Sequence, residues 1–124
     1  VGTDCHLFSI DLRSKKVTGK EAESCLSKAA ITVNKNTIPY DPQKPMIASG
    51  VRLGTPAITT RGMGAKEMEM IAAWIDEAIE ARSDDARLVA IKNEVLKLCR
   101  TFPIYERRIQ AMENLLETAE AKAP

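Results

Sequence analysis

Arg52 stands between Val51 and Leu53, with Gly50 and Gly54 one residue further out. A guanidinium on a short strand among such small neighbours can hold a carboxylate through two parallel N–H···O bonds, a geometry that a lysine ammonium does not offer. The same residue reads equally well as an ordinary surface arginine. Upstream runs Asn34-Lys35-Asn36-Thr37, and downstream Thr59-Thr60-Arg61. An asparagine side chain carries one acceptor and two donors, which suits either an amide-bearing heteroaromatic ring or a bond that steadies its own loop. From residue types alone, the stretch 34–61 is a region for recognising carboxylates and polar rings.

Other chemistries find little to work with. His6 is the only histidine, which excludes a zinc site built from several. It shares a strand face with Phe8 and Ile10 and reads as a packed histidine before a catalytic one. There is no GxxxxGK[ST] and no GxGxxG; Gly50-Val51-Arg52-Leu53-Gly54 has backbone freedom without phosphate-loop spacing. Cys25 falls on an apolar helical stripe and reads as core. Cys5, Cys25 and Cys99 are odd in number, widely spaced and without a CxxC, a pattern of free thiols in a reducing compartment.

The elements that must position Arg52 and the asparagines follow from periodicity. Cys5 to Leu12 alternates, with His6, Phe8, Ile10 and Leu12 on one face, and predicts a strand. Thr18 and Glu21 have capping-box spacing, and Ala22, Cys25, Leu26, Ala29 and Ala30 then mark one helical stripe. Ile31-Thr32-Val33 is β-branched and predicts a second strand. Asn34 to Gly50 holds Pro39, Pro42 and Pro45 and predicts a loop of about 15 residues, a length that is usually functional when it occurs inside a small domain. Val51-Arg52-Leu53 predicts a third strand, and Ala57 to Thr60 a further β-prone run. Amphipathic helices follow from Lys66 to Arg82 and from Ser83-Asp84-Asp85 to Phe102, where Pro103 interrupts. A last stripe, Tyr105, Ile109, Met112, Leu116 and Ala119, predicts a helix that docks on the body or on a partner.

With 124 residues, 44% hydrophobic and 28% charged, the chain has the size and composition of one domain with one core. The fold class expected is α+β: a small antiparallel sheet of three or four strands with helices packed on one face. The net charge of +1 supplies no field favouring nucleic acid or anionic lipid. The longest apolar run, Met70 to Ile75, is far short of the ~20 residues of a membrane span. The chain opens on Val1 with no secretory signal, which reads as a piece of a longer polypeptide.

Four blocks carry a resemblance. Gly2-Thr3-Asp4-Cys5-His6-Leu7, Thr18-Gly19-Lys20-Glu21-Ala22, Ile31 to Pro39 and Ser49 to Gly62 together resemble, in order and spacing, the C-terminal part of serine hydroxymethyltransferase. The match continues through the helices to Phe102-Pro103-Ile104-Tyr105. It implies the C-terminal domain of a fold-type-I pyridoxal phosphate enzyme over residues 1–105, with 106–124 as a helical extension. It further implies a transferase of one-carbon metabolism and glycine biosynthesis that interconverts serine plus tetrahydrofolate with glycine plus 5,10-methylenetetrahydrofolate. In that frame Arg52 binds the substrate carboxylate, Asn36 meets the pterin ring of the folate, and Lys44, Pro45 and Met46 fall on a folate-contacting loop; Thr55 to Arg61 supports the site. The resemblance implies no catalytic residue and no metal ligand in this stretch. The lysine for pyridoxal 5′-phosphate belongs to a large domain outside it, so the stretch alone is expected to be inactive. Such an enzyme is cytoplasmic and a homodimer or homotetramer. Two other readings share the carboxylate arginine or the amphipathic tail: the C-terminal domain of another pyridoxal phosphate enzyme, such as an aminotransferase, and a non-catalytic interaction module.

Overall fold

The computed structural model describes residues 3–120; the side chains of Arg107 and of residues 116–120 lie outside the described set. Val1 and Gly2 of the first resemblance block, Leu116 and Ala119 of the last stripe, and residues 121–124 of the extension therefore go without a structural account. Three strands, β1 (Leu7–Asp11), β2 (Asn34–Asn36) and β3 (Gly50–Gly54), form an antiparallel sheet in the order β1-β3-β2. The helices are α1 (Gly19–Lys28), α2 (Pro56–Thr60), α3 (Ala65–Glu80), α4 (Asp85–Thr101) and α5 (Glu106–Glu120). The fold is the expected α+β arrangement, with an open three-stranded sheet and helices on one side.

Helix α1 is the hinge of the packing. Its N-terminus has the expected capping box: Glu21 N–H donates to Thr18 Oγ1 at 3.2 Å, and Thr18 N–H donates to Glu21 Oε2 at 2.9 Å. Two donors that a helix start leaves orphaned are satisfied in this way. Ala22, Cys25, Leu26 and Ala29 on its inner stripe are buried and meet Val51 of β3, Ile75, Ala78 and Ile79 of α3, and Leu88, Ile91 and Val95 of α4 in one core. Burying one such Leu or Ile contributes about 1.5–3 kcal/mol.

The C-terminus of α1 explains a shift from the sequence expectation. Ile31 N–H donates to Leu26 O at 2.9 Å and Ala30 N–H to Ser27 O at 3.0 Å, with Ala30 left-handed at φ 61°. This is a Schellman closure made with alanine where glycine is usual. The amide of Ile31 is spent on the helix and its side chain packs on the core, so the ladder begins at Asn34, not at Ile31.

The β-prone run Ala57 to Thr60 is helical, another departure. β3 ends at Gly54, which pairs with Leu7, the first residue of β1, so no partner strand extends further. Pro56 takes the first helical position, where its fixed φ is already suitable. Thr59 turns its hydroxyl back to Thr55 O at 2.9 Å, which satisfies a side chain that favours strands. At the C-terminal end, Tyr105 and the α5 residues Ile109, Met112 and Leu115 are exposed.

Candidate functional site: the open face of the sheet and its loop

Register decides which side chains share a face. Arg52 on β3 is flanked by Ser9 on β1 and Asn34 on β2, its direct cross-strand partners, and Asn36 pairs opposite Gly50. Directly opposed residues project to the same side, as do residues two apart on one strand. Ser9, Asn34, Asn36 and Arg52 therefore occupy one face. Their neighbours Ile10, Lys35, Val51 and Leu53 occupy the other, toward the helices. Val51 is fully buried there, and Lys35 turns to α1, where its backbone N–H and Nζ reach Glu23 at 3.1 and 3.3 Å. The alternation Asn34-Lys35-Asn36 is thus strand parity: amides outward, one tethering cation inward.

Arg52 is exposed and has no carboxylate partner among the described residues. The other arginine singled out by the resemblance behaves differently. Arg61 donates to Phe102 O at 2.9 Å and to Cys99 O at 3.1 Å, stapling α2 to the carbonyl end of α4. Asn36 is half-buried and its Nδ2 donates to Thr37 O at 3.0 Å, so it makes the loop-steadying bond. Lys44, Pro45 and Met46 are exposed on the loop that joins β2 to β3, with Met46 78% accessible.

That loop, residues 37–49, is fastened at several points. Ile47 and Ala48 lend their carbonyls to the first amides of α1: Gly19 N–H to Ala48 O at 2.9 Å and Lys20 N–H to Ile47 O at 3.0 Å. Leu12 N–H donates to Ser49 O at 2.9 Å. Inside the loop, Asp41 collects four bonds, from Ile38 N–H (3.2 Å), Gln43 N–H (2.8 Å), Ser49 N–H (2.9 Å) and Ser49 Oγ (2.6 Å). Burial alone would raise the pKa of Asp41; the hydrogen bonds from Ser49, Gln43 and Ile38 outweigh it and hold the carboxyl down at about 2. Ser49, whose hydroxyl completes this set, is buried.

His6, expected to be packed, is exposed, with Nδ1 3.7 Å from Cys5 Sγ. The strand begins one residue later, at Leu7, and covers neither. Among the described residues no group of three or more His, Cys, Asp or Glu side chains could hold a metal ion. A groove of about 460 Å³ lies on the other side of the sheet, between β1, β3 and α3, lined by Phe8, Ile10, Leu53, Ile58, Ile71 and Ile75. It is apolar and does not include Arg52.

The family model described as serine hydroxymethyltransferase matches residues 1–75. A curated serine hydroxymethyltransferase of Myxococcus xanthus (strain DK1622) is 58% identical over 109 residues, which is 88% of this chain and 26% of the relative. This chain belongs to the serine hydroxymethyltransferase family. It spans about a quarter of the length of the relative it matches.

Within a serine hydroxymethyltransferase chain, the sheet brings Arg52 and Asn36 to one face, and the 37–49 loop springs from the strand that carries Asn36. Asp41 was missed by sequence reasoning. Its bond to Gln43, two residues on, is a local Asx-type signal that an Asp-Pro pair in a turn advertises. Its bonds to Ser49, eight residues away, have no such signal.

Proposed function

We propose that this chain is the C-terminal domain of a glycine hydroxymethyltransferase, supplying the amino-acid carboxylate and folate contacts for the interconversion of serine plus tetrahydrofolate with glycine plus 5,10-methylenetetrahydrofolate. The observation that carries the reading is the shared open face: an exposed guanidinium, without a carboxylate partner among the described residues, opposite Asn34 and on the same face as Asn36, on a chain of this family. Arg52 holds the carboxylate through its two-pronged donor set. Because β3 is hydrogen-bonded on both sides, the guanidinium is carried on backbone that does not wander. Asn36 and the Lys44-Pro45-Met46 segment meet the folate.

Pyridoxal 5′-phosphate, the cofactor of this reading, supplies an electron sink at the substrate α-carbon. The residues of this chain do not fit it. Its Schiff base needs a lysine in an enclosed setting. None of the described lysines is buried, and Lys15, Lys28 and Lys35 are engaged with carboxylates. We assign cofactor anchorage to the large domain of the longer polypeptide, and expect residues 1–124 alone not to turn over. In the same reading, residues 1–105 form the domain proper, 106–124 is an extension, and the whole enzyme is a cytoplasmic homodimer or homotetramer.

The test uses the full-length enzyme. Arg52→Lys keeps the charge and loses the fork, at about 1.5–3 kcal/mol for a charge-assisted bond, so KM for serine should rise roughly 10- to 100-fold. Unchanged saturation by serine would remove Arg52 from the role. Failure of the unaltered enzyme to bind tetrahydrofolate would remove the folate half of the reading.

A further inference from the structure

The carboxylate of Asp41 binds no substrate in the reading above, yet it is the most heavily bonded side chain of the loop. All four of its bonds come from the loop itself. Ile38 lies on the limb that leaves β2, Ser49 on the limb that enters β3, and Gln43 at the start of the exposed tip. The limbs are anchored, since Ile38, Ala48 and Ser49 are buried, while Tyr40 and Met46 are 99% and 78% exposed. Lys44 O closes the tip by accepting from Ile47 N–H at 2.9 Å and Ala48 N–H at 3.0 Å. Tyr40 and Ala48 sit at φ 56° and 57°, left-handed conformations that non-glycine residues hold only when their surroundings impose them.

We propose that Asp41 is a positioning residue for folate recognition: its carboxylate clasps the two limbs of the 37–49 loop and so sets Lys44-Pro45-Met46 relative to Asn36. The inference rests on the functional reading given above. Two features make the clasp specific to this half of the site. Arg52 lies in the middle of β3, paired to β1 and β2 without help from Asp41. None of the hydrogen bonds to Asp41 comes from a core residue of α1, α3 or α4. Loosening the clasp should therefore disturb the folate contacts and leave the carboxylate contact in place.

The experiment compares Asp41→Asn and Ser49→Ala with the unaltered full-length enzyme. Asn replaces one accepting oxygen with an amide that presents hydrogen to donors. Ser49→Ala removes only the hydroxyl bond and keeps the backbone one. The expected result is a KM for tetrahydrofolate raised about tenfold in Asp41→Asn and about threefold in Ser49→Ala, with KM for serine within about twofold of the unaltered value in both. Amide hydrogen exchange at Ile38, Gln43 and Ser49 should quicken while the β3 amides keep their protection. Equal rises in both constants would make Asp41 a general stability residue and overturn the proposal, as would unchanged constants. If Asp41→Asn does not fold, Ser49→Ala decides the matter by the same split between the two constants. An unaltered enzyme that binds no tetrahydrofolate sinks the functional reading, and the proposal with it. One that binds normally, with variants equal to it, sinks the proposal alone.

Discussion

On the helix side of the sheet Val51 is fully covered and its neighbours Ile10 and Leu53 are packed against the core; one residue along the same strand, Arg52 faces outward between Ser9 and Asn34. Both sets of side chains hang on one ladder of backbone hydrogen bonds, so the sheet transmits the rigidity of the core to the polar face without lending it any apolar contact. Under the proposed function, stability and recognition are thereby separated by strand parity. A substitution on the inner face should be read in melting, and one on the outer face in binding.

That separation can be broken in order of size. The largest effect belongs to the inner side: Leu26→Ala, at a fully buried position of α1, should cost about 2–5 kcal/mol of stability, read by denaturant midpoint in the full-length protein. A loss below about 1 kcal/mol would mean that α1 is not the hub of the core. Next comes the outer side. Arg52→Ala should leave stability within about 0.5 kcal/mol while weakening serine binding by about 1.5–3 kcal/mol, and a variant that melts and binds in parallel would erase the distinction between faces.

A smaller effect sits at the edge of the core. Thr18→Ala removes one half of the capping box and should cost about 1 kcal/mol, measured by thermal unfolding, with serine binding unmoved. Smaller still is Lys15→Ala, which removes exposed pairs to Asp76 and Glu80 at 2.7 and 2.5 Å. Solvent and salt screen such pairs, so the melting temperature should barely move, and what difference there is should fade with added salt.

The loop adds a test in pH. The carboxyl of Asp41 is depressed from 3.8 to about 2 in the fold, so the charged form is the one the loop favours. Its contribution is full above the ordinary carboxylate value and is lost as pH falls from 3.8 toward about 2. Amide resonances of Ile38, Gln43 and Ser49 should titrate together with that low midpoint while β3 resonances stay in place. A midpoint near the ordinary value would show that the clasp does not hold in solution.

Much of this molecule follows from local sequence. The capping box at Thr18 and Glu21, the stripes of α1, α3 and α4, and the alternating strand around Phe8 and Ile10 are set by neighbours within a turn or a pleat, where periodicity and side-chain chemistry act directly. Long matching blocks placed the chain in its family and drew Arg52 and Asn36 to notice. One local closure goes unannounced: Ile31 N–H donates to Leu26 O in a helix end made with Ala30, where a glycine would have signalled it, and so leaves the ladder to Asn34. Tertiary structure decided what depends on distant partners. The β-prone residues after Pro56 coil because β1 offers no edge beyond Leu7. Arg61 serves as a staple since two carbonyls at the end of α4 arrive beside it, and Asp41 becomes a clasp only when the chain returns at Ser49. At Arg61 and Asp41 a hydrogen-bonding group takes the partner that the folded chain delivers, and a delivery from beyond the neighbouring turn leaves no mark in the residues near it.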